Sequence, residues 1–176
     1  MKSLLIVLTM ALAVAAARAQ QEPAWSIDVG SHSQYVWRGM VVTNGPVLQT
    51  SATLGYRGFH LNAFTSNDLT RVNDRRGKLS ELDFDAGYDK AFEKTTLSGG
   101  VIRYTFPNTG APSTTELYAG ASFKAPLRPS ARIYFDVGSI KGSYATFDAS
   151  HGFALPKFHP GANWNAEFSA GLGVAT

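Results

Sequence analysis

The sequence predicts an all-β protein, an antiparallel transmembrane β-barrel, and three observations favour this class. Apolar and polar residues alternate in one segment after another, as in strands whose two faces meet different surroundings. The apolar positions carry almost no charge, whereas the polar positions carry most of the charged residues of these segments. The segments are roughly 9–14 residues long, which exceeds an ordinary strand and suits a bilayer crossing.

The first 19 residues predict a cleaved signal peptide. Lys2 gives a basic start, an apolar run extends from Leu4 to Ala17, and residues 17–19 form the small-x-small ending of a cleavage site. The apolar run is shorter than the roughly 20 residues of a membrane-spanning helix, although an uncleaved anchor is the alternative. We therefore expect residues 20–176 to form an outer-membrane β-barrel domain of a Gram-negative cell.

Composition excludes several functional classes. The chain has no cysteine, so disulfides and thiolate metal sites are absent. Lys2 and Arg18 belong to the predicted signal peptide, and without them 14 Lys and Arg face 13 Asp and Glu. The high pI of about 9.2 is therefore no argument for nucleic acid as a partner.

Nine segments are predicted as strands from this alternation and the turn residues between them. In the first, Trp25 and Trp37 fall on one face, and at ~3.3 Å per residue and ~45° tilt they span about 28 Å, close to the apolar band between aromatic girdles. An eight-strand alternative would turn 140–162 into one long loop, but such a loop is disfavoured and the segment alternates well. The nine segments are 24–37, 47–57, 59–67, 80–90, 95–106, 114–124, 131–139, 143–155 and 163–174.

The connections predict an orientation. A tight turn at 57–58 and a short connection at 91–94 alternate with longer loops, and outer-membrane barrels have short periplasmic turns and long outer loops. The loop 68–79 would face outward, near the phosphates of lipopolysaccharide, unless it is only a solvated basic loop. Its basic residues are Arg71, Arg75, Arg76 and Lys78.

Several motifs resemble the Gcw_chp family, bacterial proteins of unknown function with a porin-like barrel. Residues 33–68 resemble its opening, with an aromatic-x-Arg-Gly step, a Gly-Pro-x-x-Gln element and a Ser-Asn ending, here Tyr35, Trp37, Arg38, Gly39, Gly45, Pro46, Gln49, Ser66 and Asn67. Later segments resemble its Glu-x-Asp-x-x-x-Gly-Tyr, Tyr-x-x-Pro and Glu-Leu-Tyr elements, through Glu81, Asp83, Gly87, Tyr88, Tyr104, Pro107, Glu116, Leu117 and Tyr118. The resemblance implies a porin-like barrel and brings no catalytic or binding residue.

Two features depart from a complete barrel. The chain ends at Thr176 rather than at an aromatic residue, and nine strands is an odd number, whereas bacterial barrels have an even number. We therefore expect a barrel of roughly twelve strands whose C-terminal strands are missing. The first and last predicted strands should then be unpaired with each other.

The charged residues of the polar faces are predicted to face the lumen. The segment "SELDFDAGYD" carries all its acids at odd positions, 81, 83, 85 and 89, so its acids share one face. Their spacing is compatible with acid/base chemistry, but interior carboxylates more often pair with arginines. The predicted lumen-facing residues are Arg38, Arg57, Glu81, Asp83, Asp85, Arg103, Glu116, Arg132, Asp136 and Glu167.

The sequence predicts no enzyme, no cofactor and no metal site. His32 lies between Ser31 and Ser33 and points to the opposite face from both, and the other histidines lack metal-ligand spacing. We expect a porin-like channel for small solutes or ions, weakly cation-selective because acids predominate in its interior. A non-conducting structural barrel with a filled lumen is the alternative. The expected partners are outer-membrane lipid, lipopolysaccharide and the barrel-insertion machinery.

Overall fold

The regular structure of the protein is β-strand throughout the computed structural model, which describes residues 22–71, 76–154 and 165–176. Residues 1–19, the predicted signal peptide, lie outside the described residues. No helix in the described part is long and apolar enough to cross a membrane. The strands are β1 (Ala24–His32), β2 (Tyr35–Trp37), β3 (Met40–Thr43), β4 (Val47–Tyr56), β5 (Phe59–Asp68), β6 (Lys78–Ala91), β7 (Thr95–Thr105), β8 (Thr114–Phe123), β9 (Ser130–Asp136), β10 (Ser143–Ala154) and β11 (Asn165–Ala175).

Nine strands form one antiparallel sheet in the order β1-β4-β5-β6-β7-β8-β9-β10-β11. This confirms the predicted nine-stranded antiparallel arrangement and excludes the eight-strand alternative, since β10 pairs with β9 on one side and β11 on the other. The sheet is not closed: β1 and β11 lie at its two edges and do not pair with each other in the described residues. The prediction that the first and last strands are unpaired with each other is confirmed.

The first predicted strand is wrong in its second half. β1 ends at His32, which pairs with Val47, and the chain between them forms a separate hairpin of β2 and β3. The hairpin turns at Arg38 and Gly39, both with positive φ (50° and 80°), the backbone of a two-residue type I′ turn. Trp37 therefore does not continue the strand of Trp25, and the predicted pairing of these two as an aromatic girdle is wrong.

The two faces of the sheet differ in an unusual way. One face carries exposed apolar side chains over all nine strands. In β1 it is formed by Trp25, Ile27 and Val29, which are 76%, 61% and 66% exposed. On the opposite, polar face, acidic residues are buried, among them Glu81 at 5% and Glu116 at 4% exposure. A water-soluble sheet would bury the first face and expose the second. The exposed apolar face also includes Leu54, Leu61, Phe84, Val101, Leu117, Phe135, Phe147, Phe168 and Leu172.

Candidate functional site on the polar face

Residues 33–46, here called the inner hairpin, lie across the polar face at the end of the sheet that carries the longer loops. Tyr35 packs against Phe64 of β5 with ring centroids 6.5 Å apart, while the Arg38 guanidinium lies 4.4 Å from the ring of Tyr144 of β10. In a flat sheet these two strands would be about 24 Å apart. The sheet therefore curves around the inner hairpin, and the hairpin occupies part of the space that the curvature encloses.

Arg38 fixes the inner hairpin to the sheet. Its two terminal nitrogens donate to the two carboxylate oxygens of Glu116 at 2.6 and 2.7 Å, a bidentate geometry that is stronger than a single contact. The Tyr104 hydroxyl also donates to Glu116, at 2.9 Å. Rings of Trp37, Tyr134 and Tyr144 lie 4.2 to 4.5 Å from the guanidinium carbon. The charge is thus largely shielded from water and compensated by its carboxylate and by aromatic faces.

Electrostatics favours the charged form of this arginine. Burial by itself lowers the pKa of the Arg38 guanidinium, but the hydrogen bond and charge of Glu116 outweigh burial and the pKa is raised. Arg38 therefore stays charged at any accessible pH. The ion pair is a permanent link between the hairpin turn and β8, 78 residues later in the sequence.

A pair of acids lies under the inner hairpin. Glu81 and Asp83 are successive inward residues of β6 and are buried. Burial, and next the charge of Glu81, raise the pKa of the Tyr35 phenol above its ordinary range. Glu81 Oε2 is buried without a hydrogen-bond partner, and neither acid has a cation within 4 Å among the described residues. Tyr35 of the hairpin thus covers two carboxyl groups that no basic residue compensates.

His60 joins three strands in a polar cluster further from the loops. Its Nε2 lies 2.9 Å from the Tyr118 hydroxyl, and its Nδ1 lies 3.4 Å from Asp89 Oδ2. Tyr118 also donates to Asp85 Oδ1 at 3.2 Å. These contacts link side chains of β5, β6 and β8 across the polar face, and each side chain of the cluster has a partner.

The space beside two inward glycines is filled by tyrosines. A Cβ on Gly87 would meet the Tyr118 hydroxyl and the His60 ring, and a Cβ on Gly173 would meet the Tyr144 hydroxyl. Small residues on the polar face therefore make room for larger neighbours and do not by themselves leave an open passage.

The polar face remains open at the end opposite the inner hairpin. A cavity of about 410 Å³ lies there, lined by hydroxyl groups of several strands together with Arg132, Asp89 and Asp148. Asp89 and Asp148 are exposed. The polar face therefore has a covered end, under the hairpin, and an accessible end with charges of both signs.

The chain was compared with protein families, curated proteins and solved structures. The family described as "Bacterial protein of unknown function (Gcw_chp)" matches residues 16–158, most of the chain. The chain belongs to the Gcw_chp family. Neither the curated proteins nor the solved structures contain a match. The family resemblance of the sequence motifs is confirmed, and the family itself assigns no function.

Most predicted lumen-facing residues of this Gcw_chp chain lie on the polar face. Register places them there in β6, β8 and β9, and Arg38 reaches the same face from the hairpin turn rather than from a strand. The predicted Glu167 side chain lies outside the described residues, as does Arg75 of the basic loop. The residues on the polar face are Arg38, Glu81, Asp83, Asp85, Glu116, Arg132 and Asp136.

Two predicted positions need correction. Arg57 lies in the tight turn between β4 and β5 with φ of 50°, and its guanidinium lies 5.1 Å from the ring of Tyr56, not on the polar face. Arg103 stands opposite Phe84 and lies on the apolar face. Arg103 faces this way because the next residue of β7, Tyr104, points to the polar face. There the Tyr104 ring packs on Trp37, with centroids 5.9 Å apart, and its hydroxyl donates to Glu116. The prediction that Arg103 faces the lumen is therefore wrong.

Sequence reasoning missed the aromatic residues of the inner hairpin and the partners of His60. One signal was available: the dipeptide Arg-Gly occurs at 38–39 and again at 57–58, and both form turns with two positive φ values. Recognising the first as a turn would have revealed the hairpin. The His60 cluster had no such signal, because β5 and β6 are joined by a long loop that leaves their register open. No group of three or more metal-ligating residues occurs in the described ranges.

Proposed function

We propose that this Gcw_chp protein is an outer-membrane β-barrel with a porin-like pathway for small solutes or ions, which the inner hairpin narrows. The observation that carries the proposal is the inverted burial of the sheet, with exposed apolar side chains on one face and buried acids on the other. In a bilayer that distribution is favourable, because lipid covers the apolar face and the polar face lines the interior.

A membrane location places a further demand on the sheet. Unpaired backbone groups are costly in lipid, so both edges, β1 and β11, must acquire strand partners there. Export through the predicted signal peptide, and assembly by the barrel-insertion machinery, belong to this proposal. Neither catalysis nor a cofactor is part of it.

The interior suggests two variants of the function. The cavity of about 410 Å³ at the accessible end is compatible with solute entry. The inner hairpin, held by Arg38 and Glu116, and the tyrosines beside Gly87 and Gly173 favour the second candidate, a structural barrel with a filled lumen. The two candidates differ in whether solutes pass the hairpin.

Two measurements test the proposal in sequence. Far-UV circular dichroism should show a β-rich fold in detergent micelles or lipid vesicles, and loss of that fold or aggregation in plain buffer. A folded, monodisperse protein in buffer would contradict the membrane location. Conductance of the full-length protein in a planar bilayer then separates the candidates, since a folded barrel without single-channel steps would support the filled lumen.

A further inference from the structure

Arg103 is anomalous because of the face on which it lies. In the cross-strand register it is opposite Phe84 on one side and Thr115 on the other. Among the described strand residues, the apolar face carries one other Lys or Arg, Lys90, at the far end near the short turn. Thr115 Oγ1, at 2.9 Å, is the one hydrogen-bond acceptor found for Arg103 in the described part. Most of its N–H donors are therefore available.

A shallow trough begins at this arginine. The trough has a volume of about 590 Å³ and its lining includes Arg103, Phe84 and Val101. Its floor is low because Ala52 and Ala63 lie side by side in the cross-strand row that continues through Phe84 to Arg103. The walls are large apolar side chains, namely Trp25, Ile27, Leu54, Leu61 and Phe84. The shape suits an extended hydrocarbon chain.

The position of Arg103 specifies the charge of the ligand. Arg103 is two residues before the end of β7, about 5 Å from the loop end at ~45° tilt, where an arginine on a lipid-facing surface costs little. Beyond it, at the same end of the sheet, Arg71 and Arg76 are exposed on the loop between β5 and β6. A planar guanidinium with free donors recognises phosphate oxygens in a bidentate manner.

We infer that Arg103 and the trough form a binding site for a phosphorylated glycolipid of the outer leaflet, the lipid A part of lipopolysaccharide. A phosphate would bind Arg103 and one acyl chain would lie over Ala52 and Ala63. In the orientation predicted from the connections, the loop end of the sheet is the outer end, which favours this glycolipid over a phospholipid of the inner leaflet. The inference rests on the proposed membrane location and adds a specific lipid partner to it.

Native mass spectrometry of the full-length protein in zwitterionic micelles tests the site. The probes are bis-phosphorylated lipid A, lipid A without its phosphates, and phosphatidylglycerol. The wild type should retain one bis-phosphorylated lipid A per chain. Arg103→Ala should weaken retention about tenfold, Arg103→Lys should restore part of it, and Ala63→Trp, which fills the trough, should also weaken it. Lys90→Ala, which removes the other cation of the same face, should leave retention unchanged.

The outcomes separate this inference from the proposed function. A folded protein on which Arg103→Ala and Lys90→Ala have equal effects, or on which dephosphorylated lipid A or phosphatidylglycerol binds equally well, overturns the lipid A site and leaves the barrel proposal intact. A protein that folds in buffer and takes up no lipid overturns both. Circular dichroism of each variant in the same micelles establishes that lost retention is not lost folding.

Discussion

At the scale of the residue, Arg38 combines two features that rarely occur together. Its φ of 50° is uncommon for a residue with a side chain, and its half-buried guanidinium pairs with the buried Glu116. Positive φ at both turn positions aims the side chain of Arg38 towards β8, and Gly39 supplies the second position without strain. The turn therefore reverses the chain and also positions the Arg38 guanidinium beside Glu116.

We predict that breaking this ion pair is strongly destabilising. Arg38→Ala or Glu116→Ala should each lower the free energy of unfolding by about 3–5 kcal/mol, since the remaining partner stays buried and uncompensated. The double substitution should cost clearly less than the two single effects together. Urea unfolding in lipid vesicles, read as a double-mutant cycle, measures the coupling.

The matched control for that cycle is Arg71→Ala, which removes an exposed arginine from a loop and should change stability by no more than about 0.5 kcal/mol. Additive effects of Arg38→Ala and Glu116→Ala would show that the two side chains do not interact in the membrane.

At the scale of the element, the inner hairpin is an insertion that the sheet does not need. His32 and Val47, the residues on either side of it, are already register partners in the antiparallel pair of β1 and β4. A two-residue turn could join them directly. The hairpin therefore contributes to the interior of the curved sheet and not to its strand order.

Replacing residues 33–46 with Asn-Gly should leave the sheet folded and increase single-channel conductance. Removal of the hairpin also exposes Glu116 to water. The shortened protein should therefore lose less free energy of unfolding from the missing Arg38–Glu116 ion pair than Arg38→Ala does. Conductance in a planar bilayer is the measurement, with β content from circular dichroism beside it. Unchanged conductance in the shortened protein would mean that the hairpin does not obstruct the pathway.

Strand β8 offers a test of the two faces within one element. Ala119 lies on the apolar face and Ser122 on the polar face, and both are exposed. Ala119→Arg should destabilise the protein in vesicles by about 2–4 kcal/mol, because it places a charge against lipid near the bilayer centre. Ser122→Arg should have little effect. Urea unfolding of the two variants gives the comparison, and equal effects would contradict the lipid-facing assignment of the apolar face.

At the scale of the whole molecule, the polar face is acidic. Its basic side chains are Arg38, Lys78 and Arg132 among the described residues. Arg57 and Arg103, which were predicted to face the lumen, do not lie on this face, so its excess of acids over bases is larger than the sequence predicts. The acids of the same face are Asp28, Asp68, Glu81, Asp83, Asp85, Asp89, Glu116, Asp136 and Asp148.

If the protein conducts, we predict a weak preference for cations, since exposed carboxylates along a pore attract them. Asp89→Asn together with Asp148→Asn should move the reversal potential under a salt gradient towards zero, because these two acids are exposed at the accessible cavity. Neutralising Glu81, Asp83 and Asp85 should also reduce the preference, though Glu81 and Asp83 lie buried under the hairpin.

Glu93→Gln in the turn after β6 is the control for this measurement and should leave the reversal potential unchanged. A native preference for anions would show that the acids of the polar face do not line the conducting pathway.

The strands themselves were predictable from the sequence, because alternation has a period of two and follows from the backbone geometry of each segment alone. Strand β6, with all its acids at odd positions, is the clearest case. The phase of β7 was not predictable: its segment has both Val101 and Arg103 at odd positions, and only the contacts of Tyr104 with Trp37 and Glu116 decide which face points inward.

In the inner hairpin, too, the local conformation is predictable from the sequence and the long-range contacts are not. "YVWRGMVV" has strand propensity and an Arg-Gly turn, which fix its local conformation. That it folds across the polar face depends on Arg38 and Glu116, 78 residues apart, and a pairing at that distance leaves no periodic trace in either segment. Sequence determined which residues form strands and which face is apolar, while the tertiary structure decided what the polar face encloses, because long-range side-chain contacts exist only once the sheet has curved around them.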